Sequence, residues 1–308
     1  MARLTVLLPE LRRVAGSASL ALWLSRGDRQ ADTKPGREAA LRDCFEFLGA
    51  LLPSAALTRS LDANDAAQAL WVRADPCHVA VDAVAVRMLA WSNLGITHEE
   101  SEEFARALRP LFGDAGFPLE APMPERWYLR CPAGARLPRF ADPAAVLGAD
   151  LLPHLPSGDN ERQWRHLLNE AQVILHNHPL NLRRAQRGQL PVNSIWFWGA
   201  GQLPEWVRTP FARVFSDDAV TLALAKLARV AAAPAQAGDV FHNAANDTLL
   251  DLTTVRATLE DEWLAPIATS LRDGTFADLQ LRFESGQVAT FKSRHRWRFW
   301  RPIRLGES

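Results

Sequence analysis

Hydrophobic and polar positions along the chain switch between two periods. Leu4 to Leu8 is a compact apolar run closed by Pro9, which predicts a buried strand. Residues 37–51 place apolar side chains at helical spacing and stop before Pro53. Residues 64–72 read as helical or mixed and lead into LWVRADPCHVAVD at 70–82, where Leu70 to Val72 and Val79 to Val81 predict two strand pieces around an Asp-Pro turn. A helix is predicted over 82–94, stopping near Gly95. A second covers His98 to Leu111, with Thr97 as N-cap and acidic residues in the first turn. Arg126 to Arg130 predicts a short strand, and 131–160 is rich in Pro and Gly and predicts loop.

The clearest helical pattern spans 161–177. Trp164, Leu168, Ala171 and Leu175 fall on one stripe, Asn169, Gln172 and His176 on another, and Pro179 ends the run. After a short Arg-rich link comes a strand at Ser194 to Trp198 with Gly199 and Gly201 as its exit. Helices are predicted over 219–233 and 254–271. The segment QVATFKSRHRWRFWRP alternates as a strand would, with Phe291, His295, Trp297 and Phe299 on one face and Lys292, Arg294, Arg296 and Arg298 on the other. Strands interleaved with helices predict an α/β fold. There is no internal repeat and no low-complexity tract.

Composition narrows the function classes. At 308 residues the chain is long for a single core, and 48% hydrophobic with 23% charged residues is ordinary for a soluble globular protein. Formal net charge is zero, which counts against nucleic acid and anionic membrane as partners. The basic-aromatic segment 292–304 is the one place where phosphate contacts and stacking could combine, but a strand with one apolar and one solvated basic face explains it more simply. Three scattered cysteines, Cys44, Cys77 and Cys131, do not make a disulfide framework, so reduced thiols and a cytoplasmic setting are expected. Pro9 and Glu10 interrupt the N-terminal apolar run before it reaches signal-peptide length, and no run approaches the roughly 20 apolar residues of a spanning helix. Cys77 beside His78 is not a catalytic pair, because adjacent strand residues face opposite ways.

The most informative stretch runs from Asn169 to Gly201. It joins an amphipathic helix, a His-Pro-Leu-Asn corner, an apolar strand and a Gly-Ala-Gly turn, with polar groups at both ends of rigid elements. Gly199 to Gly201 could offer backbone N–H groups to an anion. Each polar residue also has a structural reading: a strand-borne Arg as an ion-pair partner, His178 as a helix C-terminal cap, Asn193 as a turn fixer, and Trp196 and Trp198 as core.

The segments RADPCHVAVD (73–82), ERWYLR (125–130), DLLPHLPSG (150–158) and HPLN…R…G.LPVNSIWFWGAG (178–201), in that order, resemble the archaeal-type cofactor-independent phosphoglycerate mutases. The Trp-Phe-Trp-Gly form of the last block is closer still to a bacterial offshoot, the RpfE-type regulatory proteins. The resemblance implies a reduced alkaline-phosphatase-like core, residues 1–70 and 205–308, with an inserted mutase-like α+β region at 71–204. It also implies that Arg73, Arg126, Asp150, His154, His178, Asn181, Arg184 and Asn193 occupy positions that help hold phosphoglycerate in the mutases. Arg73 and Arg126 would clamp a carboxylate or phosphate bidentately.

Mutases of this class use two divalent metals, held by Asp and His, to activate a serine for in-line phosphoryl transfer. Here Pro9-Glu10 follows the first strand where the metal-binding Asp should be. FSDDAV (215–220) has no nearby His, and His242 and His295 are isolated. The expectation is therefore a relative without catalytic residues, metal ligands or cofactor, binding a small phosphorylated or carboxylated metabolite in a regulatory role. Two alternatives stand beside it: an active metal-dependent phosphomutase or phosphatase, and a non-enzymatic scaffold for a protein partner.

Overall fold

A computed structural model describes residues 2–14, 16–81, 85–242, 246–255 and 259–301. Two compact units divide the chain: residues 1–49 with 204–308, and residues 50–203. The boundary drawn from the sequence at 70/71 falls inside a strand.

The first unit is built on a mixed sheet. Five strands run parallel in the order Ala231–Ala233, Arg213–Ser216, Thr248–Asp251, Arg3–Leu8, Asp278–Phe283. Val288–Lys292 and Asp28–Arg29 then add antiparallel at one edge. The strand Arg3–Leu8 is buried at every position after Arg3, as its continuous apolar run requires of a strand covered on both faces. Leu4, Val6, Trp23, Leu250, Ile267, Leu279, Leu281 and Phe291 form the core beside it.

The second unit centres on one twelve-residue strand, Leu70–Val81. Ser194–Gln202 pairs antiparallel along one edge. On the other edge Arg126–Cys131 pairs with residues 70–73 and Val86–Trp91 with residues 77–81, leaving Pro76 in the gap between them, where a missing N–H removes no ladder bond. Leu119–Met123 completes the sheet. The helices His98–Asp114 and Glu161–His176 cover it, and Trp164 sits 4.9 Å from both Phe117 and Phe197 in the middle of the core.

The α/β class is as read from the sequence. So are the strand at 3–8, the strand at 126, the helix at 161 and the helix at 98, whose Thr97–Glu100 capping box is formed. Several elements differ. Helix 37–51 stops at Arg42 and gives way to a short strand, Glu46–Phe47. Residues 64–69 are not helical, and the two strand pieces at 70–82 are one strand. In place of a helix at 82–94 there is the strand Val86–Trp91; the free edge of the central strand outweighs the helical preference of its Met, Leu and Ala. Residues 82–84 lie outside the described residues.

The Arg-rich link is a helix, Pro179–Gln186, begun by His178 rather than ended by it. The predicted strand exit at Gly199 is still strand, to Gln202. The helix at 219 ends at Leu227, and Ala231–Ala233 forms an edge strand. In the segment 254–271, a π-helical turn Leu259–Leu264 precedes the helix Ala265–Arg272, and 256–258 are outside the described residues. The alternation at the C-terminal end fails after Lys292: a 3-10 turn buries His295 and leaves Trp297 and Phe299 exposed. Residues 302–304 of that segment are outside the described residues.

Candidate functional site

Four of the sequence-selected residues converge on the helix Ser54–Asp62, which the sequence reading missed. Arg73 is 3% exposed and points at this helix. It donates from Nε and Nη2 to the two oxygens of Asp75, both at 2.7 Å, and from Nη1 to Thr58 Oγ1 at 3.1 Å. Asp75 is fully buried. It also accepts from the indoles of Trp198 at 2.7 Å and Trp91 at 3.1 Å. The Arg73 guanidinium lies 5.3 Å from the Tyr128 ring centre and 5.0 Å from that of Trp198. The bidentate fork is therefore closed on an internal carboxylate, with aromatic rings excluding water around it.

Arg126 repeats the arrangement one strand over. Its Nε and Nη2 donate to Asp62 at 2.7 and 2.6 Å, and Tyr128 Oη donates to the same carboxylate at 2.5 Å. Burial pushes the Tyr128 phenol well above its ordinary range and so keeps it a donor. Arg59, not singled out from the sequence, completes the layer: it lies over Trp71 and donates to Asp65 and Glu120. Three arginines thus face four carboxylates of the same unit. Arg73 and Arg126 were legible as residue types, but Arg59 and Asp62 lie on an unrecognised helix and Asp65 on its flank.

Gly199 and Gly201 serve the same junction. A Cβ on Gly201 would stand 2.5 Å from Pro53 Cβ, and one on Gly199 would stand 2.9 Å from Ser54 Cβ, where φ is +63°. The glycines let the start of the helix lie directly on the strand. They do not form the anion-binding turn proposed from the sequence.

Of the other six, His178, Asn181 and Arg184 belong to the helix Pro179–Gln186 and its N-cap, and Asn193, Asp150 and His154 lie outside it. Arg184 is fully buried and donates to Glu100 at 2.5 Å and to the carbonyls of Leu94 and Leu190 at 2.6 and 2.9 Å. Arg187 adds a second bond to Glu100. Asn181 ties Leu175 and Val192 together through three backbone bonds. His178 accepts from Leu180 N–H at 3.2 Å and packs on Phe104. Burial lowers its pKa. Asn193 clasps both the N–H and the C=O of Val79 at 2.8 Å. Asp150 accepts from Leu152 N–H at the start of a 3-10 turn, and His154 borders a crevice beside Trp196 that is too narrow for a water molecule. In this structure the ten residues do not line one pocket.

The first unit has its own polar centre, at the carboxyl ends of the parallel strands, where open α/β sheets place their sites. Asp251 ends one strand and Ser216 the next, and Glu284 follows a third. Asp251 accepts from Arg37, Ser216, Thr221 and Thr253. Burial alone would raise its pKa, but the guanidinium beside it prevails and holds the carboxyl at about 2.

No family model matches the chain. In sequence it is similar to 2,3-bisphosphoglycerate-independent phosphoglycerate mutases. A probable one from Geobacter sulfurreducens is 42% identical over 62 residues, which is 20% of this chain and 16% of that protein. One from Methanosarcina barkeri is 32% identical over 85 residues, 28% of this chain and 21% of that protein. The matched segments thus span about a fifth or less of these relatives. Among solved structures, the PH0037 protein from Pyrococcus horikoshii superposes with a TM-score of 0.50 at 13% identity, over 94% of this chain and 86% of that one. That likeness is one of fold alone.

A mutase-like relationship is therefore supported, over a limited stretch of sequence. The divalent metals that the resemblance implies do not fit the donor set at the carboxyl edge. Among the described residues no group of three His, Cys, Asp or Glu is set to hold an ion. The buried carboxylate there, Asp251, already has both oxygens taken by side-chain donors, and Glu10 is turned toward Arg12 at 2.6 Å.

Proposed function

We propose that this protein is a phosphoglycerate-mutase-like chain that keeps the fold, has lost phosphoryl transfer, and acts by binding. The observation that carries this reading is the closure of both candidate ligand arginines on internal carboxylates, Arg73 on Asp75 and Arg126 on Asp62. A guanidinium whose Nε–Nη2 edge is paired bidentately has that fork closed and its charge offset, so a phosphate gains less from it than from a free one. The same observation counts against these two arginines as the grip on a small phosphorylated or carboxylated metabolite. A regulatory role is supported only by the likeness to RpfE-type proteins.

The test is a turnover assay on the purified full chain, supplied with 3-phosphoglycerate and Mn²⁺ and followed by ³¹P NMR. No 2-phosphoglycerate and no free phosphate are expected above the protein-free rate. Metal-dependent formation of either, abolished by Arg126→Ala, would overturn the reading and restore the phosphomutase or phosphatase alternative.

A further inference from the structure

We infer that Arg37 is the built-in cation of the carboxyl edge in the first unit, where its guanidinium takes the place that a divalent metal would need. The inference deepens the non-catalytic reading and rests on it for its functional meaning, while its geometry is independent of the second unit.

Arg37 opens a short helix, Arg37–Arg42, whose position brings the side chain in over the strand ends. Nη2 lies 2.9 Å from Asp251 Oδ2, 2.8 Å from Asp218 Oδ2 and 2.9 Å from Thr221 Oγ1. Nη1 lies 2.5 Å from Thr253 Oγ1, 3.4 Å from Asp251 Oδ1 and 3.6 Å from Glu284 Oε1. Three carboxylates from three segments therefore converge on one planar cation. Asp251 is 1% exposed, and the guanidinium supplies the counter-charge that its burial calls for.

A metal ion would need the same oxygens at about 2.0–2.6 Å. The guanidinium nitrogens already stand in front of them, so ion and arginine exclude each other. The hydroxyls that could otherwise serve chemistry are also committed. Ser216 donates to Asp251 at 3.0 Å, and Thr253 donates to it at 2.6 Å. Thr221 lies 2.7 Å from Asp251 and 3.0 Å from Asp218. A carboxylate locked to a guanidinium and to hydroxyl donors is a poor base for activating any of them. Arginine suits this role better than lysine, because its fork meets several oxygens at once.

The experiment compares melting temperature and Mn²⁺ binding, the latter by electron paramagnetic resonance, for the wild-type chain, Arg37→Ala and Arg37→Lys. The wild type is expected to show no saturable Mn²⁺ binding and no change in melting temperature with millimolar MnCl₂ or with EDTA. Arg37→Ala is expected to melt roughly 5 °C or more below wild type and to recover part of that loss saturably as Mn²⁺ enters the vacated site. Arg37→Lys, which keeps the charge, carries the test if the alanine variant does not accumulate, and is expected to ignore Mn²⁺. Stoichiometric Mn²⁺ binding to the wild type or to Arg37→Lys would overturn the inference. So would an Arg37→Ala protein as stable as wild type and indifferent to Mn²⁺. Metal binding without turnover would sink this inference and leave the non-catalytic reading standing. Turnover without metal binding to this edge would do the reverse.

Discussion

Asp75→Ala is expected to destabilise the protein by about 3–5 kcal/mol, the range for removing one partner of a buried ion pair. The cost has three sources. The Arg73 guanidinium would remain buried with no carboxylate. The indoles of Trp91 and Trp198 would each lose an acceptor. The deleted carboxylate sits on the strand that pairs with every neighbour in the second unit except Leu119–Met123. Urea unfolding followed by tryptophan fluorescence reads the loss as a lower midpoint. Replacing both partners, Arg73→Met with Asp75→Leu, removes the stranded charge and is expected to recover a large part of it, since apolar substitutes for buried ion pairs are often nearly neutral. A single variant within about 1 kcal/mol of wild type would show that Arg73 is not held by Asp75.

Glu100→Ala is expected to be nearly as damaging, at about 3–4 kcal/mol, again from a buried arginine left alone. Glu100 has two jobs. It closes the capping box with Thr97 at the start of the helix His98–Asp114, and it receives Arg184, which has no solvent exposure, and Arg187. The arginines and the box together hold the carboxyl below its usual range against the opposing effect of burial. Thr97→Ala removes the cap alone and should cost only about 1 kcal/mol. Equal losses for the two variants would mean that the cap, and not the buried pair, carries the effect.

The two arginines also show what the sequence could and could not convey. Helices 98–114 and 161–176 were legible because each has a stripe of apolar residues and, at 97–100, a cap with a local physical cause. Helix 54–62 was not, because it is only nine residues long, has no side-chain cap, and buries Ser54, Thr58, Arg59 and Ser60, which read locally as exposed polar positions. Missing that helix misplaced its neighbours: the Gly-Ala-Gly segment looked like an anion-binding exit because the helix packed on it was invisible. Likewise the Asp-Pro pair at 75–76 reads locally as a turn. Only the gap between two partner strands explains how a proline sits inside a twelve-residue strand.

The candidate site was legible as chemistry and not as geometry. Arg73, Arg126 and Arg184 were singled out as ligand-binding residues, and each already holds a carboxylate within its own unit. Two of those carboxylates, Asp62 and Glu100, lie 64 and 84 residues away in sequence, beyond the reach of any local pattern. Arg37 escaped notice for a related reason. Its partners Asp218, Asp251 and Glu284 meet only when parallel strands bring their ends together.

The most direct test of the central claim is a fluorescence titration of the full chain with 3-phosphoglycerate, with and without Mn²⁺. Trp91 and Trp198 rest on Asp75 and would report any opening of the Arg73 pair. The expected result is no saturable change under either condition. A saturable change lost in Arg126→Ala would contradict the claim, because it would show that these arginines release their carboxylates to hold a phosphorylated ligand.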